Sequence, residues 1–217
     1  MLVTVRRPPV GREGFTRMET TDAADLLARQ DALQSEASSV LDDLDLLAHL
    51  RQAGEVMPIG SYALGLMVWR DIDIDIYCAS LSADRAFAAL RPLASHPRIV
   101  RLNFDNWRGP NGLPDFPNGY YWGLRYRTEA GREWKLDLWF LPDGLPRREV
   151  TLMSRRLTPE VRLAILSLKD IWHRLPSYNR GVASIDVYDA ALHHDVRTRA
   201  EFARYLHDRG MPVDGSD

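Results

Sequence analysis

Asp71, Asp73 and Asp75 stand at alternate positions, and in type and spacing they point most directly to chemistry. In an extended strand side chains alternate faces, so the interleaved Ile72, Ile74 and Ile76 enter a core while the carboxylates line the other face. Alternate positions lie about 6.6 Å apart, near enough for flexible carboxylates to converge on a pair of cations, which would relieve their mutual repulsion. The same pattern also suits a solvated face on an edge strand, where charge discourages strand addition. A calcium loop is excluded, because its sixth position requires glycine and its twelfth glutamate, and here these are Ile76 and Ser82.

Two further features bear on the choice. Gly60-Ser61 lies upstream of the aspartates. A glycine permits close backbone approach, and a serine at a helix start offers N–H groups and a hydroxyl, so the pair could cradle a phosphate facing a metal site. Downstream, Trp134, Leu136, Leu138 and Phe140 alternate with Lys135, Asp137 and Trp139. Asp137 therefore sits mid-strand among large apolar residues, where an uncompensated charge is costly. It is either a further carboxylate of the same site or half of a buried ion pair with an arginine.

The elements that must position these groups can be read from periodicity. Leu26, Leu33, Ala37, Val40, Leu44 and Leu47 recur at helical spacing after the possible cap Thr21-Asp22, predicting a long amphipathic helix with a break near Ser38-Ser39. Residues 56–59 and 69–77 read as strands separated by a turn and a short helix, 83–95 as a helix and 98–103 as a strand. Residues 120–128 and 132–140 read as a hairpin turning at Glu129-Ala130-Gly131. The Asn-, Gly- and Pro-rich stretch 105–119, which holds Trp107 and Phe116, reads as a loop. Beyond Pro146 the pattern turns helical, with Thr158-Pro159, Ser184 and the Thr198–Glu201 capping box as starts. The expectation is an α+β fold with a C-terminal helical segment: a flexible stretch over 1–20, a catalytic domain over 21–145 and a helical region over 146–217.

Composition narrows the function classes. A length of 217 residues with 45% hydrophobic content suits a globular core, and a formal net charge of -2 argues against a protein that coats nucleic acid. Cys78, the single cysteine, predicts a small buried side chain in a reducing compartment. No apolar run reaches signal-peptide or membrane-span length, so the expectation is a cytoplasmic protein with no membrane partner. Lys135 and Lys169 are the only lysines in an arginine-rich chain.

The Gly-Ser pair, spacer, Asp-x-Asp strand and later lone Asp resemble the nucleotidyltransferase superfamily of DNA polymerase beta, the antibiotic nucleotidyltransferases and the poly(A) polymerases, over residues 56–140. The resemblance implies a nucleotidyltransferase fold, a mixed β-sheet flanked by helices. It implies that Gly60 and Ser61 hold the phosphates of an NTP, with ATP the expected donor. Asp71 and Asp73 would bind two magnesium ions, and Asp137 would complete the catalytic metal site. Asp75 departs from the family pattern, since Asp73/Asp75 also fits the spacer; Asp71/Asp73 is preferred as nearer the Gly60-Ser61 turn. The implied reaction is in-line attack of an acceptor hydroxyl on the α-phosphorus, with pyrophosphate leaving and Asp137 able to take the hydroxyl proton.

Along the expected helix after Thr158, Arg162, Lys169 and His173 flank an apolar stripe. They form either a solvated flank or a basic line toward a triphosphate, with Lys169 the preferred phosphate contact and Tyr178 a candidate for stacking on the base. His193-His194-Asp195 reads as a cap or surface feature, and no Gly-x-Ser-x-Gly elbow occurs. The acceptor is expected to be a small molecule bearing a hydroxyl, in a pocket walled by 105–119 and Tyr120-Tyr121-Trp122. Alternatives are an RNA- or protein-modifying nucleotidyltransferase toxin, a metal-dependent glycosyltransferase and a non-catalytic nucleotide-binding module; oligomeric state is not legible.

Overall fold

Alternation of apolar residues along two strands decides where the core lies. The structure, a computed structural model, describes residues 23–112, 117–147, 150–178 and 180–213. The expected N-terminal flexible stretch, the Thr21-Asp22 cap and Phe116 lie outside the described residues. Five strands, β1 (Glu55–Ile59), β2 (Asp71–Cys78), β3 (Ile99–Asn106), β4 (Tyr120–Arg127) and β5 (Glu133–Pro142), form one sheet in the order β1-β2-β5-β4-β3. β2 and β5 run parallel, and every other neighbouring pair is antiparallel. Pro58, which has no N–H to give a ladder, stands on the edge strand β1.

One face of the central strands is wholly apolar: Ile72, Ile74, Ile76, Leu136, Leu138 and Phe140 are fully buried. They pack with α1 (Ala23–Asp43), α2 (Leu46–Arg51) and α4 (Ala83–Leu90) through Leu33, Ala37, Val40, Leu41, Leu46, Leu50, Ala86 and Leu90. A second apolar cluster joins α6 (Pro159–Trp172), α7 (Ser184–His193) and α8 (Arg199–Asp208), with Trp172 edge-on to Phe202 at 4.8 Å. The short helices α3 (Gly60–Leu64) and α5 (Val150–Arg155) complete the set. Leu64 and Leu66 belong to the helical cluster and Met67 to the sheet cluster, so the segment between α3 and β2 stitches the two together. The α+β architecture, a mixed sheet flanked by helices with a helical C-terminal segment, is the one expected, and no helix of the described residues is long and apolar enough to cross a membrane.

Three boundaries differ from expectation. The first helix runs unbroken through Ser38-Ser39, because Leu33, Ala37, Val40 and Leu41 pack it onto the core on either side, while both serine hydroxyls bond back to carbonyls four residues earlier, Gln34 and Ser35. The break falls instead at Asp45, whose φ of 43° is left-handed. The helix of 83–95 tightens to a 3₁₀ turn over Arg91–Ser95, where Pro92 removes a backbone donor. Asp105 and Asn106 pair with Tyr121 and Tyr120 and belong to β3, leaving a shorter connection.

Candidate active site

Register brings the carboxylates together. Asp73 on β2 stands directly opposite Asp137 on β5, and Asp71 opposite Lys135. Asp71, Asp73 and Asp137 each offer a carboxylate oxygen within 4.8 Å of the others, and each is only partly exposed. Asp75 is not in this group: it is fully buried further along β2 and accepts a hydrogen bond from the Tyr77 hydroxyl at 3.2 Å. Of the two aspartate pairs left open by spacing, Asp71/Asp73 is thus the one that converges with Asp137.

Each carboxylate is held by neighbours. The Trp69 indole N–H donates to Asp71 Oδ2 at 3.3 Å, while Asp71 Oδ1 is buried without a hydrogen-bond donor, its nearest cation being Lys135 Nζ at 3.8 Å. Burial raises the Asp71 pKa, and the Asp137 charge adds to this while Lys135 opposes it. Asp137 accepts from the Tyr121 hydroxyl at 2.8 Å on Oδ1 and is ion-paired through Oδ2 with Lys135. Burial would lower the Lys135 pKa, but Asp71 and Asp137 together raise it. Burial and the bond to Asp137 likewise push the Tyr121 phenol up.

Two glycines make this packing possible. Gly60 has φ 62°, and a Cβ there would stand 2.6 Å from Asp73 Oδ2, so the turn into α3 can lie on that carboxylate only with glycine. Gly123 on β4 pairs with Asp137, and a Cβ there would stand 2.7 Å from the Tyr121 hydroxyl. The bare strand position lets Tyr121 fold back over its neighbour to reach Asp137.

The helical cluster supplies the other wall. Ser61 Oγ accepts from Lys169 Nζ and lies 3.0 Å from the Tyr188 hydroxyl. Lys169 is fully buried, also donating to the Leu66 carbonyl at 2.8 Å and the Tyr188 hydroxyl at 3.2 Å, with its ammonium 4.7 Å from the Trp69 ring centroid. Burial lowers its pKa to about 7, against the pull of Asp73 and Asp71. Lys169 is therefore not on a solvated flank; it reaches the site through Ser61. Arg162 turns away to Gln30 at 2.7 Å, and His173 stacks on Trp69 at 5.3 Å, so the three basic residues do not form a line. Tyr178 packs edge-on against Trp69 and its hydroxyl lies 2.7 Å from Ser184 Oγ; burial raises its pKa to about 12.

Gly60, Ser61, Trp69, Asp71, Asp73, Lys135, Asp137, Tyr178 and Tyr188 line one cavity of about 300 Å³. Of the residues expected to hold metal or nucleotide, Gly60, Ser61, Asp71, Asp73, Asp137 and Tyr178 line it, and Lys169 sits behind Ser61. The expected acceptor wall is corrected in part. Trp122 and Tyr120 face the opposite side of the sheet, where they pack with Phe104 and Trp122 also meets Phe87, and Tyr121 alone of the three turns toward the carboxylates. His193 contacts Arg156 and His194 pairs with Asp189 at 3.3 Å.

Sequence reasoning passed over Trp69 and Tyr188 as site residues, placed Tyr121 on the acceptor wall but not on Asp137, and gave Lys135 no role. Strand period already set Lys135 beside Asp137, and Gly123 within a strand marked a close approach, so two of the four left a signal. Tyr188 left none, because only helix packing brings α7 to Ser61.

No protein-family model matches the chain, nor does any curated protein. Among solved structures the chain is similar to E. coli MS115-1 CdnC in its complex with HORMA-deltaN, at 17% identity over 84% of this chain and 64% of that one, with a TM-score of 0.44. It is also similar to E. coli MS115-1 CdnC with ATP, at 18% identity over 85% and 65%, with a TM-score of 0.38. The chain spans just under two thirds of the length of these structures.

Proposed function

We propose that this chain is a metal-dependent nucleotidyltransferase, moving a nucleoside monophosphate from an NTP, with ATP the preferred candidate, to a hydroxyl acceptor. The observation that carries the reading is the convergence of Asp71, Asp73 and Asp137 from two parallel strands beside the Gly60–Ser61 turn. A cation fits these residues: the donors are hard oxygens, one of them, Asp71 Oδ1, is buried without a hydrogen bond, and the glycine turn lies against Asp73. Asp71, Asp73 and Asp137 would hold magnesium, two ions on the resemblance, and when bound it supplies charge for the entering and leaving oxygens.

The chain's own groups have separable tasks. The Ser61 hydroxyl, fixed by Lys169 and Tyr188, meets the triphosphate, and Gly60 leaves room for it. Tyr178, on the cavity wall, offers a ring to the base. The acceptor oxygen bonds to the α-phosphorus as the bond to pyrophosphate breaks, and Asp137 takes the acceptor proton. The carboxylates belong to the proposed catalytic region 21–145, and Tyr178, Ser184, Ile185 and Tyr188 of the proposed helical region 146–217 line the same cavity. A small-molecule acceptor is the preferred class, and RNA, protein and glycosyl-transfer readings have no separate support.

A second reading, a nucleotide-binding module without transfer, is favoured by one observation: Lys135 already neutralises Asp137. Thermal unfolding against a panel of NTPs, with and without magnesium, separates the readings from an unrelated function. At a hundredfold excess over its dissociation constant, a bound NTP adds about 2.7 kcal/mol, or a rise of roughly 5–10 °C for a chain of this size. A magnesium-dependent rise lost in Asp73→Asn is the expected result, and release of pyrophosphate then distinguishes enzyme from binder. No shift with any NTP rejects both.

A further inference from the structure

The cavity contains a cation of the chain's own. Lys135 and Asp137 share one face of β5, two residues apart, and Asp71 is the register partner of Lys135 across the parallel pair. The ammonium therefore lies over the seam between the strands, ion-paired with Asp137 and 3.8 Å from Asp71 Oδ1. Three carboxylates within 4.8 Å of each other repel strongly when all are ionised. The other lysine does not relieve this directly, because Lys169 is sealed behind Ser61 and spends its donors on Ser61, Leu66 and Tyr188. Asp137 has a donor on each oxygen, Tyr121 on one and Lys135 on the other.

We infer that Lys135 is the resident counter-ion of the carboxylate group, and that a divalent cation enters by displacing it from Asp137. The inference rests on the metal reading of the same three residues. The Lys135 side chain is 37% exposed, so its ammonium can swing into water without disturbing the core. It cannot remain on Asp137 Oδ2 once that oxygen ligates a cation, because two positive charges would then share one acceptor. Metal entry thus includes breaking the Lys135–Asp137 pair, and Lys135 sets the affinity from below: with the lysine neutralised, the same oxygens bind a divalent ion more tightly. A residue that merely braced the fold would have the opposite effect, since its loss would loosen the ligands and weaken binding.

The test uses the full chain and Mn²⁺ alone, followed by calorimetry without nucleotide, together with thermal unfolding in chelator. Lys135→Met and Lys135→Gln are each expected to bind Mn²⁺ at least about tenfold more tightly than wild type, roughly 1.4 kcal/mol. Lys135→Arg, which keeps the charge, should bind like wild type. In chelator, Lys135→Met and Asp137→Asn should be non-additive, the double variant being more stable than the sum of the single losses predicts. Additivity there overturns the counter-ion role. Equal or weaker Mn²⁺ binding by both neutral variants overturns the displacement, as does a failure of wild type and both variants to bind Mn²⁺ at all. If Asp73→Asn binds Mn²⁺ as wild type does, the metal reading itself falls, whatever Lys135 contributes.

Discussion

The two faces of the β2–β5 pair are made from alternate residues of the same two strands and solve opposite problems. On one face Ile72, Ile74, Ile76, Leu136, Leu138 and Phe140 lose all contact with water and anchor α1, α2 and α4. On the other, Asp71, Asp73 and Asp137 crowd like charges together and need Trp69, Tyr121 and Lys135 to hold them. The apolar face draws its stability from burial of area, summed over many side chains. The polar face depends on individual partners, so removing any one changes what the others do. A strand pair thus combines a stability element with a charged one, whose stability is conditional on its partners.

Swapping the demands placed on the two faces tests this division. The largest effect expected is on nucleotidyl transfer by Asp73→Asn: a loss of at least about 10³-fold, equivalent to roughly 4 kcal/mol of activation free energy. Its metal-free stability should stay within about 1 kcal/mol of wild type, since one like charge is gone. Pyrophosphate release and urea unfolding measure the two, and a large stability loss with activity retained would invert the comparison. Leu138→Ala, on the apolar face, should cost about 2–5 kcal/mol in urea unfolding, because Leu138 is fully buried between Ile74 and Trp122.

Lys169 should make stability depend on pH in the alkaline direction. Its pKa is lowered from 10.5 to about 7 in the fold, so between these values the unfolded chain holds a proton that the native one has released. Stability therefore rises as pH climbs above about 7, by on the order of 1–2 kcal/mol before other groups titrate. Urea unfolding at pH 6.5 and 8.5 should show this rise in wild type and not in Lys169→Met. Equal slopes in the two would mean that the ammonium is not desolvated behind Ser61.

The smallest effect concerns Glu36, which fastens α1 to the sheet. Burial would raise its pKa, but hydrogen bonds from Arg70, Trp134 and Arg132 bring it down to about 2. The stability it contributes is complete above the unfolded value of 4.5 and is lost as pH falls toward 2. Glu36→Gln should cost about 1–2 kcal/mol at neutral pH and flatten the acid limb of the stability curve. An unchanged acid limb would place the acid sensitivity on the carboxylate face instead.

Much of this was legible before the fold. The two-residue period of 71–76 and 134–140 assigned most side chains of β2 and β5 to a face, and Thr158 and Thr198 marked helix starts where their hydroxyls accept from Val161 and Glu201. These are local matters, set by backbone geometry over a few residues. What sequence left open was which strands are neighbours and in what register. The pairing of Asp73 with Asp137 spans a crossover containing α4, β3 and β4, and that register removes Asp75 from the converging group and sets Lys135 against Asp71. The burial of Lys169 was likewise invisible, since helical period gives a residue's angle on α6 but not that Ser61 and Tyr188 close over it. Periodicity fixes direction within one element; contact between elements depends on how their apolar faces fill space together, and that is decided only when the whole chain has packed.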